Sequence, residues 1–199
     1  MNNFLSNEHN QFVIGLDCST TAIKAVVFDK KGNEVFKISE PIPLKSPKAN
    51  YYEQDADDWW DATRIVLKKV SRQINPDFIK ALSISNQRET FVALDRSGKQ
   101  IRPAIIWLDE RCKDEVKPFA KKIGEKKLHK ITGKPIDFAP VVYRLAWMKK
   151  HEPKLFKKIF MICDVHSYLS WRLTNNFTTS WASAAPGCCW RCWVFPLAW

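Results

Sequence analysis

Phe12-Val-Ile-Gly-Leu-Asp-Cys-Ser-Thr-Thr-Ala-Ile-Lys-Ala-Val-Val-Phe-Asp29 is the stretch from which the rest of the chain can be read. Residues 12–16 and 25–28 are short apolar runs rich in β-branched and aromatic side chains, bounded by turn residues. They read as buried strands. Between them lie Asp17, Ser19, Thr20, Thr21 and Lys24: a carboxylate, three hydroxyls and a cation on one tight connection. Phosphate chemistry uses such a set. Hydroxyls and turn N–H groups bond phosphate oxygens, a cation neutralises them, and a carboxylate holds magnesium directly or through water. An ordinary hairpin with a polar tip has the same composition, so the residues alone leave both readings open.

Outward from this stretch, Gly32-Asn33 separates residues 26–28 from 35–38 and signals a second hairpin. The first three strands are therefore expected as an antiparallel meander. Residues 41–49 hold three prolines and read as a loop. A helix follows, with Asp55 or Asp57 as its cap and Trp59, Ala62, Thr63, Val66, Leu67 and Val70 at helical spacing. Trp59 and Trp60 read as packing residues rather than ligand contacts. Residues 79–85 and 90–94 read as strands, Asp95–Gly98 as a hairpin turn, and 103–108 as a third short strand. Asp109 is expected to cap the next helix, which carries Val116, Phe119, Ala120 and Ile123. Further helices are expected at 128–131, 140–150, 153–160 and 164–173. Strands first, then strands alternating with helices, is an α/β order. No linker is expected to divide the body.

Composition narrows the class. With 45% hydrophobic and 27% charged residues, the chain is that of a globular protein. No apolar run approaches the roughly 18 residues of a membrane span, and the first residues are polar without a signal-like apolar region. A cytoplasmic location and no membrane partner are the expectation. The net charge of +11 raises the possibility of a polyanion partner. However, the lysines fall in pairs on helix faces among acidic residues, and no nucleic-acid motif is present, so no nucleic-acid partner is expected. Cys18, Cys112 and Cys163 are isolated and read as reduced thiols. Cys188, Cys189 and Cys192 crowd together and make a weak case for a metal or redox site.

A second polar island, Ser85-Asn-Gln-Arg-Glu-Thr90, interrupts two apolar segments. Arg88 can donate to hydroxyl oxygens while Glu89 accepts from hydroxyl protons, and Asn86 and Gln87 can do both. This is a fork suited to a polyol. A connecting loop with an exposed ion pair worth little is the alternative.

Taken together, these motifs resemble the FGGY carbohydrate kinases. Gly15–Lys24 resembles that family's first phosphate loop, with Ser19 where most members carry Gly and Ala22 where a small residue or Gly is common. Tyr51-Tyr-Glu-Gln-Asp-Ala-Asp-Asp-Trp-Trp60 resembles a second signature, with Ala56 in place of Pro. Asn86–Thr90 resembles the glycerol kinase block in which Arg and Glu contact substrate. Pro103–Arg111 resembles the next block, whose Trp covers the sugar's carbon face. Thr132-Gly-Lys-Pro-Ile-Asp137 and Arg144-Leu-Ala-Trp147 continue the pattern, and residues 174–184 extend it. The resemblance implies an α/β, actin-like (ribonuclease H-like) ATPase domain, incomplete, with a mixed sheet flanked by helices.

By the same resemblance, the activity is ATP- and Mg²⁺-dependent phosphorylation of a small-molecule sugar or polyol. Asp17 would help place magnesium, and Ser19, Thr20, Thr21 and Lys24 would face the phosphates. Arg88, Glu89, Trp107, Asn86 and Gln87 would hold the substrate. Asp109 and Arg111 match a charged pair near that site, with helix capping and a surface ion pair as their structural alternative. Ala139 stands where glycerol kinases carry a substrate-contacting Tyr, which leaves room for a larger substrate such as a ketopentose. Ser19 points toward xylulokinases and the 86–90 block toward glycerol kinases. A homodimer is compatible with the family.

Residues 185–199 depart from everything before them, with three Cys and three Trp and no Lys, Asp or Glu. Residues 11–184 are read as a partial kinase N-terminal domain and 185–199 as an aberrant, frameshifted tail. The family's catalytic Asp and second ATPase domain match nothing in the chain. Little or no turnover by this chain alone is therefore expected, and a non-catalytic sugar-binding module or a non-functional fragment stands as the alternative.

Overall fold

A computed structural model describes residues 11–180. The expected tail at 185–199 lies outside the described residues. The described chain runs β1 (Phe12–Cys18), β2 (Ala22–Phe28), β3 (Glu34–Pro41), β4 (Glu53–Gln54), α1 (Ala56–Ser71), a 3₁₀ turn (Pro76–Phe78), β5 (Ile79–Asn86), β6 (Phe91–Leu94), β7 (Ala104–Ile105), α2 (Lys113–Ile123), α3 (Glu125–Thr132), α4 (Val141–His151), α5 (Pro153–Phe156), β8 (Met161–Asp164) and α6 (Val165–Thr174). The described residues form two compact units, one within residues 11–43 and 57–87, the other within residues 44–56 and 88–180. The division falls within the residues expected to form one domain. No linker marks the division because the chain passes between the units within ordinary-looking sequence.

In the first unit, four strands form a sheet in the order β3-β2-β1-β5. The meander is present: β1 and β2 are antiparallel, as are β2 and β3. β5 then adds parallel to β1, so the sheet is mixed. Alternation sorts the side chains. Phe12, Ile14, Leu16, Cys18, Ile23, Ala25 and Val27 are buried. Trp59, Ala62, Val66 and Val70 are buried along one stripe of α1, and these two sets make the apolar core of the unit. Lys69 of α1 also pairs with Glu40 of β3 at 2.9 Å. The opposite sheet face carries Val13, Gly15 and Asp17 on β1.

The second unit is built on a sheet in the order β4-β7-β6-β8, antiparallel throughout. Phe91, Ala93, Ile105 and Ile162 from this sheet share one core with Val116, Ala120, Leu128, Tyr143, Trp147 and Met148 from the helices. The 95–98 turn forms, with the Gly98 N–H donating to the Asp95 carbonyl at 3.0 Å. Three expectations are corrected. The 103–108 strand shrinks to two residues because the chain turns at Ile106, whose carbonyl accepts from the Asp109 N–H. The helix at 153–160 stops at Phe156, and β8 follows, pairing with β6. Asp109 does not cap α2: Cys112 stands at that position and makes no side-chain cap bond. Asp164, by contrast, caps α6, accepting from the Ser167 N–H at 2.7 Å.

Candidate functional site

The polar loop of the first unit is tighter than its sequence suggests. β1 runs through Asp17 to Cys18, and β2 begins at Ala22. Only residues 19–21 turn the chain. The Ser19 N–H and hydroxyl both donate to the Ala22 carbonyl, each at 3.0 Å. The Ser19 hydroxyl proton therefore closes the turn, and its oxygen remains an acceptor. The Thr21 carbonyl accepts from the Ile42 N–H at 2.9 Å, tying the turn to the chain beyond β3. Asp17 lies directly opposite Lys24 on β2 and opposite Ser85 on β5, and Lys24 lies opposite Ser39 on β3. A row of two hydroxyls, a carboxylate and an ammonium thus crosses four strands on one face. Lys24 is exposed and Asp17 half-buried. Asn86 and Gln87 belong to this unit. Asn86 ends β5 opposite Cys18, and the Gln87 N–H donates to the Cys18 carbonyl at 2.9 Å. The island of residues 85–90 is therefore split between the two units after Gln87.

Asp17 is the carboxylate available for a metal here. Among the described residues no group of three His, Cys, Asp or Glu side chains is gathered for one. Magnesium in nucleotide sites keeps several waters and takes one or two protein carboxylates plus the phosphates. The hydroxyls and Lys24 around it are the donors that phosphates require.

In the second unit, Glu89, Thr90 and Trp107 form a compact group. Glu89 adopts φ 59°, a left-handed conformation unusual for a non-glycine residue. Its side chain is only 10% exposed. One carboxylate oxygen, Oε1, accepts from the Lys134 ammonium. The other, Oε2, accepts from the N–H of Val141, the first residue of α4, at 3.2 Å. A carboxylate at a helix N-terminus is favoured by the aligned peptide dipoles. Thr90 is fully buried, and its Oγ1 accepts from the Trp107 N–H at 3.2 Å. The Trp107 side chain is 41% exposed, high for an indole in a structured loop. Arg88 is exposed.

Arg144 is a member of this group whose role sequence reading missed. It is fully buried. Its Nη2 donates to the carbonyls of Glu89 and Ala139, the latter at 2.6 Å, and its Nη1 to those of Ile106 and Trp107 at 3.3 and 3.5 Å. Burial pulls its guanidinium below the ordinary arginine range. The Arg144–Trp147 motif marked the position, but only the fold shows which carbonyls it gathers. Asp109 and Arg111 are likewise no surface pair. Both are buried, and Arg111 Nε and Nη2 meet the two Asp109 oxygens at 2.7 Å each. Asp109 also accepts from the Tyr52 N–H at 2.6 Å. Arg111 reaches Glu53 at 2.7 Å and lies over the rings of Tyr51 and Trp147. Burial alone would lower the Arg111 guanidinium. The bonds to Asp109 and Glu53 outweigh burial and hold it above its ordinary value. Arg102 joins the network through Glu53 and Glu152. The network ties residues 109–111 to residues 52 and 53, and through Arg102 to Glu152.

The N-terminal-domain profile of the FGGY family of carbohydrate kinases matches residues 12–188. The chain is similar to the xylulose kinase of Staphylococcus xylosus, at 32% identity over 174 residues, covering 87% of this chain and 36% of that protein. It is similar to the glycerol kinase of Limosilactobacillus reuteri at 32% identity over 173 residues, covering 83% and 35%. Among solved structures it resembles gluconate kinase from Lactobacillus acidophilus, with a TM-score of 0.85 at 26% identity, covering 90% of this chain and 36% of the other. The chain thus spans about a third of the length of the relatives it matches.

Proposed function

The chain belongs to the FGGY family of carbohydrate kinases, and we propose that it carries the sugar-recognition and first phosphate-loop elements of an ATP- and Mg²⁺-dependent kinase acting on a small sugar. The observation that carries this reading is the group around Glu89 and Trp107. A largely buried carboxylate and a half-exposed indole are each anchored through the main chain to the same buried Arg144. A sugar presents hydroxyls on its edges and C–H groups on its faces. Glu89 accepts from the hydroxyls, Arg88 donates to their oxygens, and Trp107 covers a C–H face.

A ketopentose fits this reading better than glycerol. Ala139 contributes only a methyl group, and its carbonyl is held by Arg144 beside that of Glu89. The space that a bulkier side chain would take is left for substrate. The names of the similar xylulose kinases are in keeping with this.

On the phosphate side, Asp17 would hold Mg²⁺ through water, and Thr20, Thr21 and Lys24 would meet the phosphates. Bound MgATP supplies an electrophilic phosphoryl group with its charge partly neutralised. Ser19 contributes by closing the turn that aims its neighbours, and its hydroxyl oxygen stays available as an acceptor. Asn86 and Gln87 sit at the end of the parallel pair β1/β5 and extend the polar edge there. None of the described residues is assigned as the base that takes the sugar's proton.

The test is calorimetric titration of the 199-residue chain with D-xylulose, D-gluconate and glycerol. Saturable binding of D-xylulose, weakened at least tenfold by Glu89→Gln, supports the reading. Binding of no sugar, or binding indifferent to that substitution, overturns it.

A further inference from the structure

We propose that Lys134 is a positioning residue for sugar recognition, acting through the carboxylate of Glu89; this rests on the sugar-site reading above. The Lys134 ammonium pairs with Glu89 Oε1 while the Val141 N–H takes Oε2. The two carboxylate oxygens are therefore each held by one donor, from opposite ends of the 134–141 segment. A carboxylate oxygen has two acceptor directions. Each keeps one for a hydroxyl, and the plane of the group is fixed before any ligand arrives. Preorganisation of this kind strengthens binding by removing rotamer entropy and reorientation from the binding step.

Lys134 itself is set by the local backbone. α3 ends on Gly133, whose φ of 67° makes the left-handed C-cap, and the Gly133 N–H donates to the His129 carbonyl at 2.7 Å. The His129 ring Nδ1 meets the Lys134 carbonyl at 2.8 Å. A helix end thus delivers the lysine to Glu89. Its side chain is 27% exposed against 10% for the carboxylate, which puts the cation on the more open side of the pair. A lysine in this place has two consequences. The Glu89 carboxylate, held by one donor on each oxygen, offers acceptors and no donor to a ligand, so it selects for ligand hydroxyl donors. The cation also offsets the negative charge that a lone buried carboxylate would present to a sugar carrying electron-rich oxygens.

The test is a double-mutant cycle on D-xylulose affinity, with Lys134→Met, Glu89→Gln and the double variant, and with Lys134→Arg as the conservative control. Thermal melts establish that each variant is folded. The expected result is about a tenfold loss for K134M, a similar or larger loss for E89Q, and no further loss when K134M is added to E89Q, with K134R within about threefold of the parent. A purely structural role would lower the melting temperature without this non-additivity. If K134M leaves affinity unchanged, or costs the same in both backgrounds, the positioning role is overturned while the sugar site stands. The role is also overturned if K134R fails as completely as K134M. If E89Q itself is without effect, the sugar site falls, and the role of Lys134 falls with it.

Discussion

Arg144 and Glu89 are joined through the main chain: the guanidinium of the one holds the carbonyl of the other, and with its remaining donors the carbonyls of Ala139, Ile106 and Trp107. A single buried cation therefore sets the backbone under both groups proposed to touch the sugar. Replacing it with Met leaves these carbonyls without their donor in a dry interior. Loss of a buried network of this kind costs on the order of 3 kcal/mol or more. Arg144→Met is expected to lower the unfolding free energy measured by urea titration by that amount and to abolish sugar binding. Arg144→Lys, which lacks the planar fork, is expected to recover only part of either.

Trp107 should separate binding from stability. Its ring is 41% exposed, so truncation leaves little cavity. Trp107→Ala is expected to lower the unfolding free energy by less than about 1 kcal/mol while weakening sugar binding roughly tenfold. Trp107→Phe should restore most of the affinity. A large loss of stability would show that the indole serves packing instead.

Asp17 and Lys24 stand opposite each other across the first hairpin. Asp17→Asn is expected to remove the magnesium dependence of nucleotide binding, measured with a fluorescent ATP analogue with and without Mg²⁺. Lys24→Met should weaken binding with or without the metal. Neither is expected to change sugar affinity.

Gly98 sits at φ 81°, and a Cβ built there would lie 2.7 Å from the ring of Trp171. Gly98→Ala therefore combines a strained backbone with an overpacked contact. A loss of about 2 kcal/mol or more is expected in urea unfolding. Gly32, also at positive φ but in open space, gives the contrast: Gly32→Ala should cost about 1 kcal/mol.

The three described cysteines make stability fall in alkali. Burial pushes the Cys112 thiol up to about 11, and Cys18 and Cys163 are raised as well, again chiefly by burial. A thiol raised in the fold stays protonated there while the unfolded chain ionises. Its contribution is full below the unfolded value near 9 and is lost as pH climbs toward 11. Chemical unfolding at pH 8, 9.5 and 10.5 should show this decline, and Cys112→Ala should flatten it. At pH 8 the folded chain should react slowly with iodoacetamide at all three positions.

Much of this was legible in the chain. Alternation in residues 12–28 announced the hairpin, and the spacing of Trp59, Ala62, Val66 and Val70 announced α1. What escaped had physical reasons. The pattern could not show that the polar island divides after Gln87, because strand β5 and the Arg88–Glu89 step are continuous in sequence and part only in space. β8 is four residues long and falls at the short gap between the helices expected at 153–160 and 164–173. For Asp109 and Arg111 helix capping and a surface ion pair stayed open beside a role near the substrate, because local sequence does not reveal that Glu53 and Tyr52 come back to meet them. Glu89 and Trp107, the residues proposed to touch the sugar, are named by resemblance alone. Arg144, Thr90 and Lys134, which hold them, were not singled out, since backbone carbonyls leave no trace in a motif.

The interleaving of the two units bears on synthesis. The first unit cannot complete its sheet until β5 has left the ribosome, and β4, made before then, waits for β7. The strand β6 waits longer still, since its partner β8 begins only at Met161. Contacts so distant along the chain slow folding and leave strand edges open in the interval. A nascent chain arrested between residues 95 and 160 should therefore expose an unpaired β6 edge and depend on chaperones, whereas one arrested shortly after residue 86 already holds every strand its first sheet needs.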